Sequence, residues 1–306
     1  MNYNLITILG PTATGKTKLA AQLAHRFNGE IISADSRQVY KGMDIGTGKD
    51  FSDYFVNDHK IPFHLIDIAD PDSEFNLFEF ILHFKDAFNK IISKNKIPFL
   101  TGGTGLYISS IVQNYQIKKS EFNEDEITGL SQLPFEELQS KLLSLKPKLH
   151  NKTDLEDKDR LVKAILIAQS DGELLLKDVK INSLVIGVRS ERSELKKRIT
   201  ERLKKRLNEG MIEEVQNLIN SGVTYERLLR LGLEYKFIAL YLKGELNYKD
   251  MFQKLNSAIS AFAKRQMTWF RKMERESVKI NWIENADFER AADLISKHTF
   301  VPDLKS

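Results

Sequence analysis

The sequence predicts an α/β fold, with a parallel sheet flanked by helices and an inserted helical lobe. Short apolar, β-branched runs alternate with segments of helical periodicity in the first third of the 306-residue chain. A charged stretch with helical patterning, about 116–178, lies between two later apolar runs. Alternating strands and helices build parallel sheets, whose ligands gather beyond the carboxyl ends of the strands.

The first strand, residues 5–9, runs into a glycine-rich turn and then a helix at 18–24. The turn matches G-x-x-x-x-G-K-[ST], the pattern of a phosphate-binding loop (P-loop), with an ordinary tight turn as the alternative. Unpaired amides at a helix start bind phosphate, a lysine adds charge and a threonine hydroxyl holds Mg²⁺. The predicted diphosphate ligands are Gly10, Pro11, Thr12, Ala13, Thr14, Gly15, Lys16 and Thr17, with Thr17 also the metal ligand.

The remaining elements follow from the same two periodicities. Predicted strands lie at 30–35, 63–67, 97–101, 183–188 and 278–283, and predicted helices at 76–93, 193–221 and 248–276. We assign residues 1–116 and 151–306 to a P-loop core with C-terminal helices. Residues 117–150 form the predicted insertion.

Composition sets limits on function. Lys and Arg total 46 against 42 acidic residues, and a net charge of +4 does not by itself indicate a nucleic-acid partner. The absence of cysteine excludes disulfides and thiolate zinc sites. No basic leader precedes the first strand, and no run approaches the ~20 apolar residues of a membrane helix. We therefore expect a soluble, cytoplasmic protein.

Asp35 ends the second predicted strand, at the sheet edge that also carries the P-loop. A carboxylate there is placed to orient Mg²⁺ or to take a proton from a nucleophile. The alternative is an Asx-type cap of the following turn. The polar residues that follow favour a substrate-binding loop.

The strand at 97–101 ends in Gly102-Gly103-Thr104 instead of the aspartate that nucleotide hydrolases use to hold Mg²⁺. The base-recognition motif Asn-Lys-x-Asp of GTPases is also missing. Both absences disfavour a GTPase or a motor ATPase.

Basic residues cluster at 192–206 and at 264–272. For the first cluster we favour a solvated helix face with ion pairs over a ligand-binding face. In the second, we expect Trp269 and Phe270 in the core and the cations directed to diphosphate or RNA. The six histidines lack metal-ligand spacing.

Several blocks together resemble the tRNA dimethylallyltransferase family. They are Gly10–Thr17, the Ser33-Ala-Asp-Ser-Arg-Gln block through Thr47, His64-Leu-Ile-Asp67, Gly102–Tyr107, and Ala263-Lys-Arg-Gln-Met-Thr-Trp-Phe-Arg271. The blocks follow in order over nearly the whole chain. The resemblance implies transfer of a dimethylallyl group from dimethylallyl diphosphate to the exocyclic amine of the adenosine next to the anticodon.

The resemblance also implies residue roles. Asp35 would be the general base, with Thr104 and Lys16 as further catalytic residues and Mg²⁺ as cofactor. The insertion would contact RNA, and the partner would be the anticodon stem-loop of tRNA, bound by a monomer with no membrane involved. The implied tRNA-binding residues are Asp35, Ser36, Arg37, Gln38, Thr104, Asp159, Arg160, Leu161, Val162 and Lys163.

The chain departs from the family pattern at four places. Glu234 stands where glycine is usual, Ile259-Ser260 replaces Thr-Arg, and Glu156-Asp157-Lys158 replaces Asn-Pro. An arginine usual near Leu231 is displaced, which leaves the diphosphate-side arginine unassigned.

Three other functions compete with tRNA prenylation. An adenylate (cytokinin-type) isopentenyltransferase would share the chemistry, but it would not need the insertion or the basic helices. A P-loop small-molecule kinase would need an arginine-rich lid, which we do not find. An RNA-binding protein with a merely structural P-loop would not need Lys16, Thr17 and Asp35 intact.

Overall fold

The computed structural model describes residues 2–118, 124–145, 155, 158–169, 172 and 174–300, without the side chains of residues 2, 124, 125, 159 and 160. Its centre is a six-stranded sheet whose strands are all parallel, as predicted. The strands are β1 Asn2–Tyr3, β2 Leu5–Leu9, β3 Gly29–Ala34, β4 Phe55–Val56, β5 His59–Lys60, β6 Phe63–His64, β7 Ile97–Gly102, β8 Ser183–Arg189, β9 Ile280–Glu284 and β10 Thr299–Phe300.

The sheet order is β6-β3-β7-β2-β8-β9, so the strand that leads into the P-loop lies in the interior of the sheet. The helices are α1 Lys16–Arg26, α2 Leu77–Ile92, α3 Gly105–Val112, α4 Glu124–Ser131, α5 Phe135–Leu145, α6 Lys158–Gln169, α7 Arg192–Asn208, α8 Met211–Asn220, α9 Tyr225–Leu231, α10 Leu233–Leu242, α11 Tyr248–Arg275 and α12 Phe288–Ser296. A short 3₁₀ helix spans Phe51–Tyr54.

Buried strands and amphipathic helices form the core that supports the site. Every residue of β2 and β3 is buried, as expected for interior strands of a parallel sheet. Helices α1 and α12 pack with these strands in one hydrophobic cluster. A second cluster joins α7, α8, α10 and α11 to the loop that follows β3. The helical layer therefore covers the carboxyl end of β3.

A buried carboxylate lies at the start of β3. Glu30 is hydrogen-bonded to His64 Nε2 at 2.8 Å, Lys96 Nζ at 2.9 Å and Lys94 Nζ at 3.0 Å, and we call these four residues the Glu30 cluster. Burial opposes ionisation, but these hydrogen bonds outweigh it and lower the pKa of Glu30 to about 2. The cluster thus stabilises the fold with a paired charge, away from the P-loop end of the strands.

Two predicted elements differ from their patterns: one strand is shorter, and one helix is divided into two. The strand predicted at 63–67 ends at His64, since Leu65 and Asp67 adopt left-handed backbone conformations with φ 64° and 56°. The helix predicted at 193–221 is two helices, α7 and α8, separated at Gly210, whose φ is 100°. Side-chain periodicity persists through such a break, so the pattern did not reveal it.

By its contacts the chain divides into two units, Met1–Tyr115 with Val179–Ser306, and Gln116–Asp178. The insertion predicted at 117–150 lies in the second unit, which extends further because α6 packs with α5 around Leu138, Leu142 and Leu161. None of the described helices has the length and apolar run needed to cross a bilayer.

Candidate active site

A cavity of about 400 Å³ lies beside the P-loop, where the carboxyl ends of β2, β3 and β7 meet. Ladder partners explain the meeting, since Gly102 pairs with Leu9 on one side and with Ala34 on the other. The turns that follow these strands are therefore neighbours. The predicted site residues that line the cavity are Thr12, Ala13, Gly15, Lys16, Thr17, Asp35, Arg37 and Gln38.

The P-loop has the backbone that its glycines predict. Ala13 and Gly15 are left-handed, with φ 64° and 81°, and Gly15 caps α1. A Cβ on Gly10 would lie 2.5 Å from the Val188 carbonyl oxygen, so only glycine fits there. The Thr14 hydroxyl donates to the Pro11 carbonyl at 2.9 Å and holds the turn. The amides at the start of α1 lack intrahelical partners, which suits anion binding.

Lys16 carries its charge in a poorly hydrated environment. Loss of hydration lowers the pKa of its ammonium to about 8, with Asp35 opposing and Arg202 and Arg206 adding to the shift. Its Nζ donates to the Pro11 carbonyl at 3.4 Å, a weak contact. Among the described residues, Lys16 therefore forms no ion pair with a carboxylate, and two arginines influence its charge.

Asp35 forms the Asx-type cap that was the alternative for this position, and its side chain also lines the cavity. Its Oδ1 accepts from the amide of Arg37 at 3.0 Å and from that of Gln38 at 3.4 Å, which is the Asx-type cap. No hydrogen bond from the described residues reaches Oδ2, and the side chain lines the cavity. One oxygen orients the carboxylate and the other is available to a ligand.

Thr104 is engaged by the turn after β3. Its hydroxyl accepts from the Ser36 amide at 3.0 Å and donates to the Ser36 hydroxyl at 3.3 Å. Neither Thr104 nor Ser36 lines the cavity. The structure therefore brings both next to Asp35, where they join the turn after β3 to the turn after β7.

Arg37 and Gln38 line the cavity, but their side-chain ends are hydrogen-bonded to other parts of the protein. The Arg37 guanidinium is hydrogen-bonded to Glu234 and lies 5.7 Å from the centre of the Phe262 ring. Desolvation opposes the charge, but Glu234 and Asp35 more than offset it and raise the pKa of Arg37. Gln38 Nε2 donates to the Gly48 carbonyl at 2.9 Å. Glu234, noted as a departure from the family pattern, is therefore the buried counter-ion of Arg37.

Gln266 was not among the predicted site residues, although its block carried the family resemblance. Its Oε1 accepts from the Thr12 amide at 2.9 Å, and its Nε2 donates to the Gly103 carbonyl at 2.9 Å. One buried side chain on α11 thus joins the P-loop to the turn after β7. A Cβ on Gly103 would lie 2.2 Å from Gln266 Nε2, which explains the glycine.

The aromatic residues of the same block are structural, as predicted. Phe270 is fully buried. Trp269 packs against Gly105, where a Cβ would come within 2.3 Å of its ring, and donates from Nε1 to the Ser109 hydroxyl at 2.6 Å. These contacts fix α11 against the start of α3.

The basic face of α7 is only partly solvated. Arg198, Arg202, Lys205 and Arg206 line the cavity, and the prediction of a solvated face is wrong for the buried Arg206. Arg202 reaches the Thr12 hydroxyl at 3.3 Å and Asp50 Oδ2 at 2.8 Å. The predicted one-turn ion pairs also occur, as between Arg198 and Glu194 at 3.0 Å. The segment has a solvated face and a face that lines the cavity.

The residues predicted at 159–163 lie on α6 in the second unit. The side chains of Asp159 and Arg160 are outside the described residues. Leu161 and Val162 are buried in the cluster of α4, α5 and α6, and Lys163 is exposed. Among the described side chains of residues 159–163, only that of Lys163 is available to a polyanion.

No group of three or more His, Asp or Glu side chains converges as a metal site within the described parts of the chain. The cavity does contain hard oxygen donors, the hydroxyls of Thr17 and Thr101 and the Asp35 carboxylate. The buried Thr101 hydroxyl has no hydrogen-bond partner among the described residues. Such a donor set fits Mg²⁺, which binds a few protein oxygens and completes its shell with substrate and water.

Comparison with known proteins places this site in a family. The model of the family described as IPP transferase matches residues 38–273, and that described as Isopentenyl transferase matches residues 3–64. The chain is 50% identical over 293 residues to tRNA dimethylallyltransferase 1 of Syntrophus aciditrophicus (strain SB), covering 94% of this chain and 96% of the relative. It is 52% identical over 285 residues to tRNA dimethylallyltransferase 1 of Geotalea uraniireducens (strain Rf4), covering 93% of each.

The fold agrees with a solved relative. The crystal structure of full-length tRNA isopentenylpyrophosphate transferase from Bacillus halodurans matches with a TM-score of 0.68 and 31% identity, over 97% of this chain and 95% of the other. These matches span the P-loop, the turn after β3 and the Gln266 block alike. The chain therefore belongs to the IPP transferase family.

Proposed function

We propose that this protein transfers a dimethylallyl group from dimethylallyl diphosphate to the exocyclic amine of the adenosine adjacent to the anticodon in tRNA. Relatives about half identical over more than nine-tenths of the chain are named tRNA dimethylallyltransferases. The observation that carries the proposal is the pairing, in one cavity, of a P-loop with the oriented carboxylate of Asp35. A diphosphate leaving group and a proton acceptor are the two needs of this reaction.

The chemistry follows from the groups present. The allylic C–O bond breaks, and its electron pair leaves with pyrophosphate, whose charge the P-loop amides and Lys16 stabilise. The adenine amine forms the new C–N bond to the five-carbon cation, and its proton passes to Asp35 Oδ2. Thr17, with Thr101 as a further donor, would hold Mg²⁺, which would neutralise charge on the departing pyrophosphate.

The remaining assignments are parts of the same proposal. Thr104 and Ser36 fix the Asp35 turn. Arg37 and Gln38 shape that turn from inside, and their backbone is what we expect the displaced nucleotides to contact. Lys163 would bind the anticodon stem-loop, whereas Leu161 and Val162 are buried in the core of the second unit. A flipped adenine costs a few kcal/mol that such RNA contacts must offset. A protein without cysteine suits the reducing cytoplasm, where we place the reaction.

Incubation with labelled dimethylallyl diphosphate and unmodified tRNA, AMP or ATP tests the proposal. We expect label in tRNA alone. Label in AMP but not in tRNA would instead establish an adenylate isopentenyltransferase, and phosphate transfer from ATP would establish a kinase.

Asp35→Asn is the sharpest variant, because an amide keeps the Oδ1 cap and removes the base. We expect turnover to fall by at least about 10²-fold, the usual contribution of a general base, with tRNA affinity unchanged. Asp293→Asn, on the exposed face of α12, is the matched control. Normal turnover by Asp35→Asn would show that Asp35 is not the base.

A further inference from the structure

Tyr54 brings an unpaired hydroxyl to the cavity beside the P-loop. The residue is only 2% exposed, and it lines the cavity. Its hydroxyl forms no hydrogen bond with any described residue. In the described parts of the chain, the fully buried side-chain polar atoms without a partner belong to Asn89, Thr101 and Arg206. The Tyr54 hydroxyl is therefore not sealed inside the core, and its small accessible surface opens into the cavity.

The ring of Tyr54 is held by packing, which gives the hydroxyl a fixed position. Tyr54 ends the short 3₁₀ helix, and its carbonyl accepts from the Ile61 amide at 2.8 Å. The centre of its ring lies 4.6 Å from that of Phe63, and the residue belongs to the hydrophobic cluster of α1. Buried tyrosines usually pair their hydroxyl within the protein. Packing thus explains the ring and leaves the hydroxyl without a structural role.

The surroundings of Tyr54 keep this hydroxyl protonated. Burial raises the pKa of Tyr54, and the carboxylates of Asp35, Asp53 and Asp50 raise it further. All three carboxylates line the cavity, which agrees with a phenol end that faces it. An ionised carboxylate can only accept hydrogen bonds, whereas a neutral phenol can donate one. Tyr54 therefore contributes a neutral donor to a part of the cavity that is otherwise rich in acceptors.

Two features favour a diphosphate over the adenosine as the acceptor of this hydrogen bond. Tyr54 packs with α1, whose first residues, Lys16 and Thr17, line the same cavity at the anion-binding end of the P-loop. A phosphate oxygen is a strong acceptor and forms short, charge-assisted hydrogen bonds. The reacting amine of the adenosine is itself a donor that needs Asp35 as its acceptor, so a second donor beside it would have no partner.

We propose that the Tyr54 hydroxyl donates a hydrogen bond to an oxygen of the diphosphate of the prenyl donor. This inference rests on the proposed function and deepens it, because it adds a binding residue from outside the P-loop. The P-loop provides backbone amides and the charge of Lys16. Tyr54 provides a neutral donor, held in place by its ring, from the segment between the turn after β3 and the hairpin of β4 and β5.

Tyr54→Phe tests the inference, because it removes the hydroxyl and keeps the packing of the ring. Calorimetric titration of the whole protein with inorganic pyrophosphate and Mg²⁺ measures binding without the transfer reaction. We expect the Kd of Tyr54→Phe to rise about tenfold, as for the loss of a hydrogen bond to a charged group. The Kd for tRNA should stay within about twofold. Tyr248→Phe, at an exposed position of α11, is the matched control and should bind pyrophosphate as the wild type does.

Thermal unfolding separates a ligand contact from a structural role. A hydroxyl without a protein partner adds no hydrogen bond to the fold, so Tyr54→Phe should unfold at the wild-type temperature when pyrophosphate is absent. Pyrophosphate should then raise that temperature less than it does in the wild type.

Three results would overturn the inference: Tyr54→Phe binds pyrophosphate as tightly as the wild type, it unfolds several degrees lower without ligand, or it loses affinity for tRNA instead. If the variant behaves as expected but the wild type transfers no label to tRNA, the diphosphate contact stands and the proposed function fails.

Discussion

Gln266 offers the sharpest test of how the site is held together. Its amide forms two hydrogen bonds of 2.9 Å, one to the Thr12 amide and one to the Gly103 carbonyl. Gln266→Met keeps the length and volume of the side chain and removes both bonds. Each lost bond costs about 1 kcal/mol, and a buried partner left unpaired raises the total to roughly 2–4 kcal/mol.

Loss of these hydrogen bonds should disturb the relative placement of the P-loop and the turn after β7, because the Gln266 side chain joins them. A loss of about 2 kcal/mol in transition-state stabilisation corresponds to roughly a 30-fold lower kcat/KM for dimethylallyl diphosphate. Affinity for tRNA should stay within about twofold. Steady-state prenyl transfer at varied donor concentration measures the first quantity, and tRNA binding without donor measures the second.

Gln216→Met is the matched control, since Gln216 is hydrogen-bonded on the surface of α8 to Asn220. If Gln266→Met and Gln216→Met show the same kcat/KM, Gln266 does not position the loop. If Gln266→Met loses donor and tRNA binding equally and unfolds at a much lower temperature, the residue serves the fold as a whole and the positioning argument is refuted.

Two pH dependences follow from the electrostatics. Lys16, with its pKa lowered to about 8, should lose its charge as pH rises above 8, so pyrophosphate binding should weaken there and take up a proton, which calorimetry in buffers of different ionisation heat measures. In the Glu30 cluster, a carboxyl pKa lowered from 4.5 to about 2 gives stability that is complete above about pH 4.5 and lost as pH falls toward 2. Glu30→Gln should be less stable at pH 7 and lose less on acidification, as urea unfolding at the two pH values would show; identical pH dependence in the two proteins would contradict this reasoning.

Periodicity and glycine placement predicted the framework of the fold. Apolar runs located the interior strands, and the P-loop pattern located the first strand, turn and helix in register. These features are local, so a single sequence contains them. The boundaries that failed depend on backbone conformation instead. Leu65 and Asp67 adopt left-handed backbone conformations and end a strand, although neither residue type requires such a conformation.

Side-chain roles proved harder to predict, because they depend on partners distant in sequence. Thr12 and Gln266 are 254 positions apart, yet their hydrogen bond joins two blocks that the sequence presented separately. The family resemblance assigned Arg37 to RNA. Its guanidinium is also paired with Glu234, a residue that the sequence marked only as unusual. Pairing across the fold, and not residue type, decides which polar groups remain available to a ligand.

The two buried arginines of the cavity show how that distinction bears on function. Arg37 and Arg206 carry the same charge, and desolvation penalises both, but their carboxylate partners differ. Glu234 pairs with Arg37, and the pKa of Arg37 is raised. Arg206 shares the Asp50 carboxylate with Arg202, and the pKa of Arg206 is lowered. A fold gains nothing from leaving a buried cation short of a partner, so the shortfall is better explained by a ligand that supplies the missing charge. By this criterion Arg37 is held within the scaffold of the site, whereas Arg206 is the less compensated cation of the cavity.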